Sequence, residues 1–593
     1  GDRAGKSHLI PQLQVLATPN RPIYLVFDQD SKPNTVKAVR AAIRQTGYLL
    51  SQQGCSVRIV TWNPQWGKGA DDLIAARGEE AFDRAYQEAL PLDLWKARAF
   101  NQLTYPPALE LNCRYLPPLT ACGAPLVGIK SPKGTGKTQL LQGIARDAIA
   151  QGRRVLVLGH RVQLVEELCQ RFGLHSIAQI RTGESAALGY GLCIDSLHPN
   201  SQAQFCARDW SGAIVIIDEV EQVLWHGLHS RTCTPHRVAI LKTLKTLVQM
   251  VSGSGGRLYV ADADLSDVSL DYLLTLAGVE QQPFLVENRW KPSAEEAWTI
   301  YHYPETTPDR LVGDLVRHIQ DGGKPFVCLS AQKLTSSWGT RALEAYLKKQ
   351  FPTARILRID SESVAEPARA ADSCVARLNE ILPDYDIVLA SPSIETGVSL
   401  DLRGHFTSVW AIAQGIQSET SVRQSLSRIR ENIPRHIWVA PYGFNQVGNG
   451  STSIPGLLDS GQKLTQLNIR LLQKSDFDAI DDLDAGFQAE SLLCWAKFAV
   501  RLNASMLQYR EAVLAALRRE GHRLVEVLPE EAAADGSSRP ESGSNAVAES
   551  NQNAIADAIN AVREQNYRAE CDEIASARDL TAGEYQALKR RMV

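Results

Sequence analysis

Lys137 and Thr138 close the stretch SPKGTGKT, residues 131–138. Gly134, Gly136, Lys137 and Thr138 stand where a phosphate-holding loop needs them, with Ser131 where a first glycine often stands. The loop Ser131-Pro132-Lys133-Gly134-Thr135-Gly136 would then wrap phosphate oxygens with backbone N–H groups. Lys137 would reach the outer phosphates, and the Thr138 hydroxyl would hold Mg²⁺. Eighty residues on, AIVIIDEVEQ ends an apolar run on Asp218 and Glu219. Asp218 suits indirect coordination of the same Mg²⁺, and Glu219 suits orienting and deprotonating an attacking water. A third group lies near the start. Phe27-Asp28-Gln29-Asp30 places two carboxylates two residues apart at the end of an apolar run, and in a strand these share a face and can reach one hard cation.

Each group needs an element behind it. APLVGIK before the loop reads as a short strand and TQLLQGIARDAIAQG after it as a helix, so the loop sits on a helix N-terminus whose partial charge favours anions. RRVLVLGH, AIVIIDE and GRLYVADAD continue the alternation to about residue 300. KPFVCLS, ARILRID, DIVLAS, SVWAIA and HIWVAP repeat it over 301–445. Earlier, PIYLVFDQD, TVKAVRAAIRQTGYLLSQQ and SVRIVTW read as strand, helix and strand of a small α/β domain over 1–95. The proline-rich stretch 96–125 reads as a connector. The expected order is that domain, the connector, α/β lobes over 126–300 and 301–445, a helical domain over 446–530, a flexible linker over 531–552 poor in aromatics, and a helical tail over 553–593.

Composition narrows the function classes. Among 593 residues, 44% are hydrophobic and 22% charged, an ordinary globular balance. The net charge of -3 excludes a global basic field, so nucleic acid would have to be held by local grooves. The 11 cysteines are scattered without a CxxC pair, which argues against a zinc module or a disulfide framework and suits a reducing cytoplasm. No apolar run approaches a membrane span and no secretory signal is visible. Gly1 in place of Met leads us to expect a fragment of a longer protein.

SPKGTGKT and DEVE together resemble motifs I and II of superfamily 2 helicases, and further motifs follow in that family's order. HRVQLVEEL (160–168) resembles motif Ia, CIDSL (193–197) the next strand-binding motif, YVADADLSD (259–267) motif III, SPSIETGVSLD (391–401) motif V and RQSLSRIR (423–430) motif VI. The resemblance implies two RecA-like lobes with ATP and Mg²⁺ between them, and Gly397 on the nucleotide side. It implies that Arg161, Ser196 and Thr396 track a DNA backbone. It implies that motif VI, through Gln424 and an arginine finger, acts on the γ-phosphate. Many relatives have a glycine before the first arginine and a wider spacing. Here Ser427 precedes Arg428 and only Ile429 separates it from Arg430, so the finger is either of the two.

The amino-terminal DQD resembles the DxD of Toprim domains, and GKGADDLIA (67–75) resembles a recurring element of Toprim-like domains in replication proteins. Toprim chemistry also uses a glutamate before DxD, yet the first glutamate here is Glu79. The order of Toprim-like unit, superfamily 2 motor and helical tail resembles the cyanobacterial plasmid replication initiators, with a more distant likeness to herpesvirus origin-binding helicases. The implied partners are single-stranded or forked DNA, a replication origin and replisome proteins, with no membrane. The rival readings are a Toprim-type primase or nuclease with an ATPase loader, and a DNA-binding scaffold with residual nucleotide binding.

Overall fold

The computed structural model describes residues 8–119, 123–176, 188–331, 336–360, 374–391, 400, 402–458, 487–528, 554–569 and 572. Its strands form three sheets. The amino-terminal sheet holds β1 (Pro22–Val26), β2 (Ser56–Val60) and β3 (Leu90–Pro91) in that order, with β1 and β2 parallel and β3 antiparallel to β2. PIYLVFDQD therefore ends as a strand at Val26, and Asp28 and Asp30 occupy the loop beyond it.

The second sheet holds β4 (Leu109–Leu111), β5 (Leu126–Lys130), β6 (Val155–Gly159), β7 (His175–Ser176), β8 (Gly189–Cys193), β9 (Ile214–Asp218), β10 (Arg257–Asp262) and β11 (Phe284–Asn288). Their order is β4-β11-β5-β10-β9-β6-β8-β7, and every pair is parallel. Buried on both faces, β6 and β9 read as unbroken apolar runs rather than alternating ones. The connector supplies β4 at one edge.

The third sheet holds β12 (Thr299–Tyr303), β13 (Pro325–Leu329), β14 (Ile356–Ile359), β15 (Ile387–Ala390), β16 (Ser408–Ala413), β17 (Arg435–Val439) and β18 (Arg523–Glu526). Their order is β14-β15-β13-β16-β17-β12-β18, again all parallel. The two large parallel sheets with helices between their strands are the pair of RecA-like α/β lobes that the motif order implied.

The carboxyl-terminal segment is woven into those lobes. Helix Phe487–Leu507 packs on helices Asp267–Ala277 and Val220–His229 of the first lobe and on Leu92–Ala97 near the amino-terminal sheet. Helix Tyr509–Arg519 packs on Glu419–Leu426 of the second lobe, and β18 extends that lobe's sheet beside β12. The range 446–530 thus includes a sheet strand, because the apolar pair Leu524-Val525 finds an open edge at β12. Residues 554–569 are helical, and Ile555 and Ile559 join the apolar core of the second lobe.

Candidate nucleotide site and interlobe cleft

Parallel pairing lines up the carboxyl ends of neighbouring strands, which is where open α/β sheets bind ligands. Lys130 lies opposite Asp262, and Ala261 opposite Asp218, so the phosphate loop, the DE pair and the DAD turn share one edge. Gly134 and Gly136 have φ of 71° and 84°, a left-handed conformation that an L side chain adopts at a cost, and this turns the loop tightly onto helix Lys137–Ala150.

Ser131 and Thr135 share a hydroxyl hydrogen bond of 2.6 Å inside the loop. Lys137 Nζ donates to the Ser131 and Pro132 carbonyls at 3.0 and 3.2 Å. No carboxylate pairs with this ammonium among the described residues. Its charge is folded into a loop of backbone dipoles, which fits a phosphate ligand. The Thr138 hydroxyl donates to Asp218 Oδ2 at 2.8 Å, joining the two residues that would share Mg²⁺. Burial pushes the Asp218 carboxyl upward against the pull of Lys137 and Thr138, as expected of a carboxylate placed to meet a cation.

Glu219 follows at φ 55°, one of three non-glycine residues with positive φ among those described. Such a backbone costs about 1–2 kcal/mol and is held only where its surroundings fix it. Here the Glu219 N–H donates to Asp218 Oδ1 at 3.1 Å. Burial, then Asp218, raises the Glu219 carboxyl while Lys137 draws it down. A carboxylate raised above its ordinary range is a stronger base for taking a proton from water.

Glu221, the second glutamate of DEVE, was assigned no role from sequence. It accepts from Ser266 N–H and Oγ at 3.1 and 2.7 Å, from Ser269 Oγ at 2.6 Å and from Arg501 at 2.6 Å. It thereby ties the DE helix to the DADLSD turn and to helix Phe487–Leu507. Asp262 accepts the N–H groups of Glu221 and Asp264. Burial and three acidic neighbours push its carboxyl well up.

The contact across the lobes is made by Arg423, which sequence reasoning passed over although it opens RQSLSRIR. Only 3% of its side chain is exposed. It meets Asp264 of the first lobe at 2.8 Å, Glu419 one helical turn back at 2.6 Å and Glu520 at 2.5 Å. Glu520 also pairs with Lys133 of the phosphate loop at 3.2 Å. The spacing of Glu419 and Arg423, four apart on one helix, was the available signal. Arg428 lies half-buried just past that helix, Arg430 is exposed, and Gln424 is half-buried on the helix itself.

The cleft between the lobes holds about 530 Å³ and is lined by Arg161, Gln222, Trp225, Asp264, Ser330 and Arg501 among others. Arg161 stands immediately before helix Val162–Phe172, just past the end of β6. Ser196 ends the short turn Ile194–Ser196, beside Asp195, which pairs with His226 at 2.8 Å. Thr396 and Gly397 lie outside the described residues.

The amino-terminal acids form a separate site. Lys68 Nζ lies 3.5 Å from Asp28 and 3.6 Å from Asp30. The Lys32 N–H donates to Asp30 at 2.8 Å and, with Lys68, holds that carboxyl below its usual range. The two acids do converge on one cation position, and the Lys68 ammonium is the cation there.

Residues 1–81 match the profile of a domain of unknown function, DUF3854. The chain is 38% identical over 596 residues, 98% of its length, to an uncharacterized protein of Picosynechococcus sp.. It spans 57% of that relative, a little over half. Among solved structures, Mycobacterium smegmatis helicase Lhr bound to ssDNA and AMP-PNP shares 16% identity over 53% of this chain and 44% of its own, with a TM-score of 0.36. Mss116p bound to ssRNA and AMP-PNP shares 12% identity over 71% of this chain and 77% of its own, with a TM-score of 0.38. The fold assignment rests on the sheet order and strand-end geometry described above. No helix among the described residues is long and apolar enough to cross a membrane.

Proposed function

We propose that this chain is an ATP-driven DNA translocase or helicase of superfamily 2 type that works in replication initiation. The observation that carries the reading is the joined set of Lys137, Thr138, Asp218 and Glu219 at the edge of one parallel lobe, facing a second lobe through Arg423. Ser131 to Thr138 would hold the ATP phosphates, with Thr138 and Asp218 holding Mg²⁺. The ion would supply charge neutralisation on the transferring phosphoryl group. Lys137 would exchange two loop carbonyls for phosphate oxygens. Glu219 would orient and deprotonate water.

Arg423 is saturated by three carboxylates, so it acts as a latch rather than as the finger. The finger role remains with Arg428 or Arg430. Because Glu520 touches both Lys133 and Arg423, a phosphate that drew Lys133 away would disturb the latch and couple nucleotide to lobe position. Arg161 would meet the DNA backbone in the cleft, with Ser196 and Thr396 as further contacts. The replication role rests on the resemblance of DQD and GKGADDLIA to Toprim-like domains of replication proteins. The experiment is DNA-stimulated ATP hydrolysis by the purified chain, followed by unwinding of forked duplexes. Hydrolysis indifferent to DNA would overturn the reading.

A further inference from the structure

We propose that a single strand of nucleic acid leaving the interlobe cleft continues into a second, arginine-lined cleft that ends at Asp28 and Asp30. This inference rests on the motor reading.

The second cleft holds about 460 Å³ between the amino-terminal sheet, the connector and helix Tyr509–Arg519. Arg40, Arg44, Arg98 and Arg519 line it, with Trp95 among them. None of these four arginines makes an ion pair or a side-chain hydrogen bond among the described residues. Arg40, Arg44 and Arg519 are exposed along this cleft and Arg98 is half-buried in it, whereas Arg423 and Arg501 are each met by carboxylates. Arg40 and Arg44 lie four apart on helix Pro33–Gln52 and so present both guanidiniums on one side. Arg98 and Arg519 crowd each other, and burial together with that repulsion lowers the Arg98 pKa to about 10. Like charges gathered along a cleft repel one another, with Glu88 only partly offsetting this at Arg98, and an anion relieves that repulsion.

The ligand class follows from the shape. Arg98, Asn101 and Arg519 line both this cleft and the interlobe cleft, so the two adjoin at those side chains. A free phosphate or a mononucleotide would occupy one point of such a path. A strand would use all of it, with phosphates on the arginines and bases against Trp95 here and Trp225 in the cleft between the lobes. Lys68, bridging Asp28 and Asp30, offsets the repulsion those acids would exert on the strand. The amino-terminal domain would thus receive the strand that the motor moves.

The test uses the full chain and oligothymidylates of about 6 to about 30 nucleotides, a range that brackets single-strand site sizes. Affinity should rise with length beyond what the cleft between the lobes covers. Arg40 and Arg44 are both exposed, so Arg40→Glu with Arg44→Glu should leave the fold intact. The double variant should bind the longest strand about tenfold more weakly, with a salt slope smaller by roughly 1.4, the loss of two phosphate contacts. Its ATP hydrolysis with the shortest stimulating strand should match the wild type, which also reports that it is folded. Wild-type affinity and slope in the double variant would overturn the channel while leaving the motor standing. A wild-type chain that neither binds the short strands nor hydrolyses ATP in response would overturn the motor reading, and the channel with it.

Discussion

Two pairs of carboxylates sit at strand ends in this molecule, and their surroundings separate them. Asp218 and Glu219 leave a fully buried strand in the middle of an eight-stranded parallel sheet, with strands on both sides to fix their position. Asp28 and Asp30 lie past a short strand at the edge of a three-stranded sheet, where the Asp28 side chain is 62% exposed. Burial raises the first pair, while Lys137 draws both carboxyls down and Thr138 donates to Asp218. The second pair is already met by Lys68, whose ammonium is exposed as Asp28 is, although the Asp30 side chain is only 12% exposed. On the proposed reading, carboxylates at strand ends therefore carry a functional role at one site and a small energetic one at the other.

The comparison breaks most directly at Lys137. Lys137→Ala should lower ATP turnover by about a thousandfold, because Lys133, the other lysine of the loop, is held by Glu520 and does not replace its charge. The circular dichroism spectrum should be unchanged, since the lysine closes a loop and not a core. Undiminished turnover would remove the phosphate site from the reading. Glu219→Gln should bind ATP with near wild-type affinity and hydrolyse it about a hundredfold more slowly. The sign with pH follows from its raised carboxyl. The base must be ionised, so the rate should fall as pH drops through a value above the ordinary glutamate range, and the variant should lose that limb. A variant unable to bind nucleotide would contradict the role.

The contrast also explains what was legible in the sequence. Lys137, Thr138, Asp218 and Glu219 were readable because their spacing to flanking strand and helix patterns is local. The parallel sheets were readable because strands buried on both faces are unbroken apolar runs. Arg423, Asp264, Glu520 and Arg501 were not readable as a set, since their partners come from segments 97 to 280 residues apart. No local pattern encodes such pairings. The strand Arg523–Glu526 was hidden for the same reason, because it exists only where β12 offers it an edge. The resemblance to motif VI points to Arg428 and Arg430, whereas the buried cross-lobe residue is Arg423, which opens the same stretch.

Arg423 supplies the intermediate case, a buried ion cluster with a mechanical task. Arg423→Ala would leave Asp264 and Glu520 without their guanidinium, at a cost of about 3 kcal/mol. A lowered melting temperature and a higher basal ATPase, uncoupled from DNA, are the expected readings. The pH test has a definite sign. The neighbouring cations hold Glu520 down to about 2 from an ordinary 4.5, so its contribution is complete above 4.5 and is lost as pH falls toward about 2. The wild type should lose more stability than the variant across that window. Equal losses would mean that the cross-lobe contacts do not carry the cleft.

The smallest effects belong to the amino-terminal pair, and there the test is one of competition. Lys68 is 58% exposed and sits just beyond hydrogen-bond reach of both carboxylates. Lys68→Ala should therefore change stability by no more than about 0.5 kcal/mol. The same change vacates the cation position, so Mg²⁺ should bind severalfold more tightly to the Lys68→Ala chain than to the wild type, by calorimetry on the full chain. The affinity should stay modest, because two carboxylates leave most of an octahedral shell to water, which Mg²⁺ gives up reluctantly. Adding Asp28→Asn should reverse the gain. Tight Mg²⁺ binding by the wild type would instead require a third protein ligand beside Asp28 and Asp30. If that binding came with metal-dependent cleavage or extension of a bound strand, lost in Asp28→Asn, the amino-terminal pair would be a second active site. The contrast with Asp218 and Glu219 would then be one of two chemistries on a single strand.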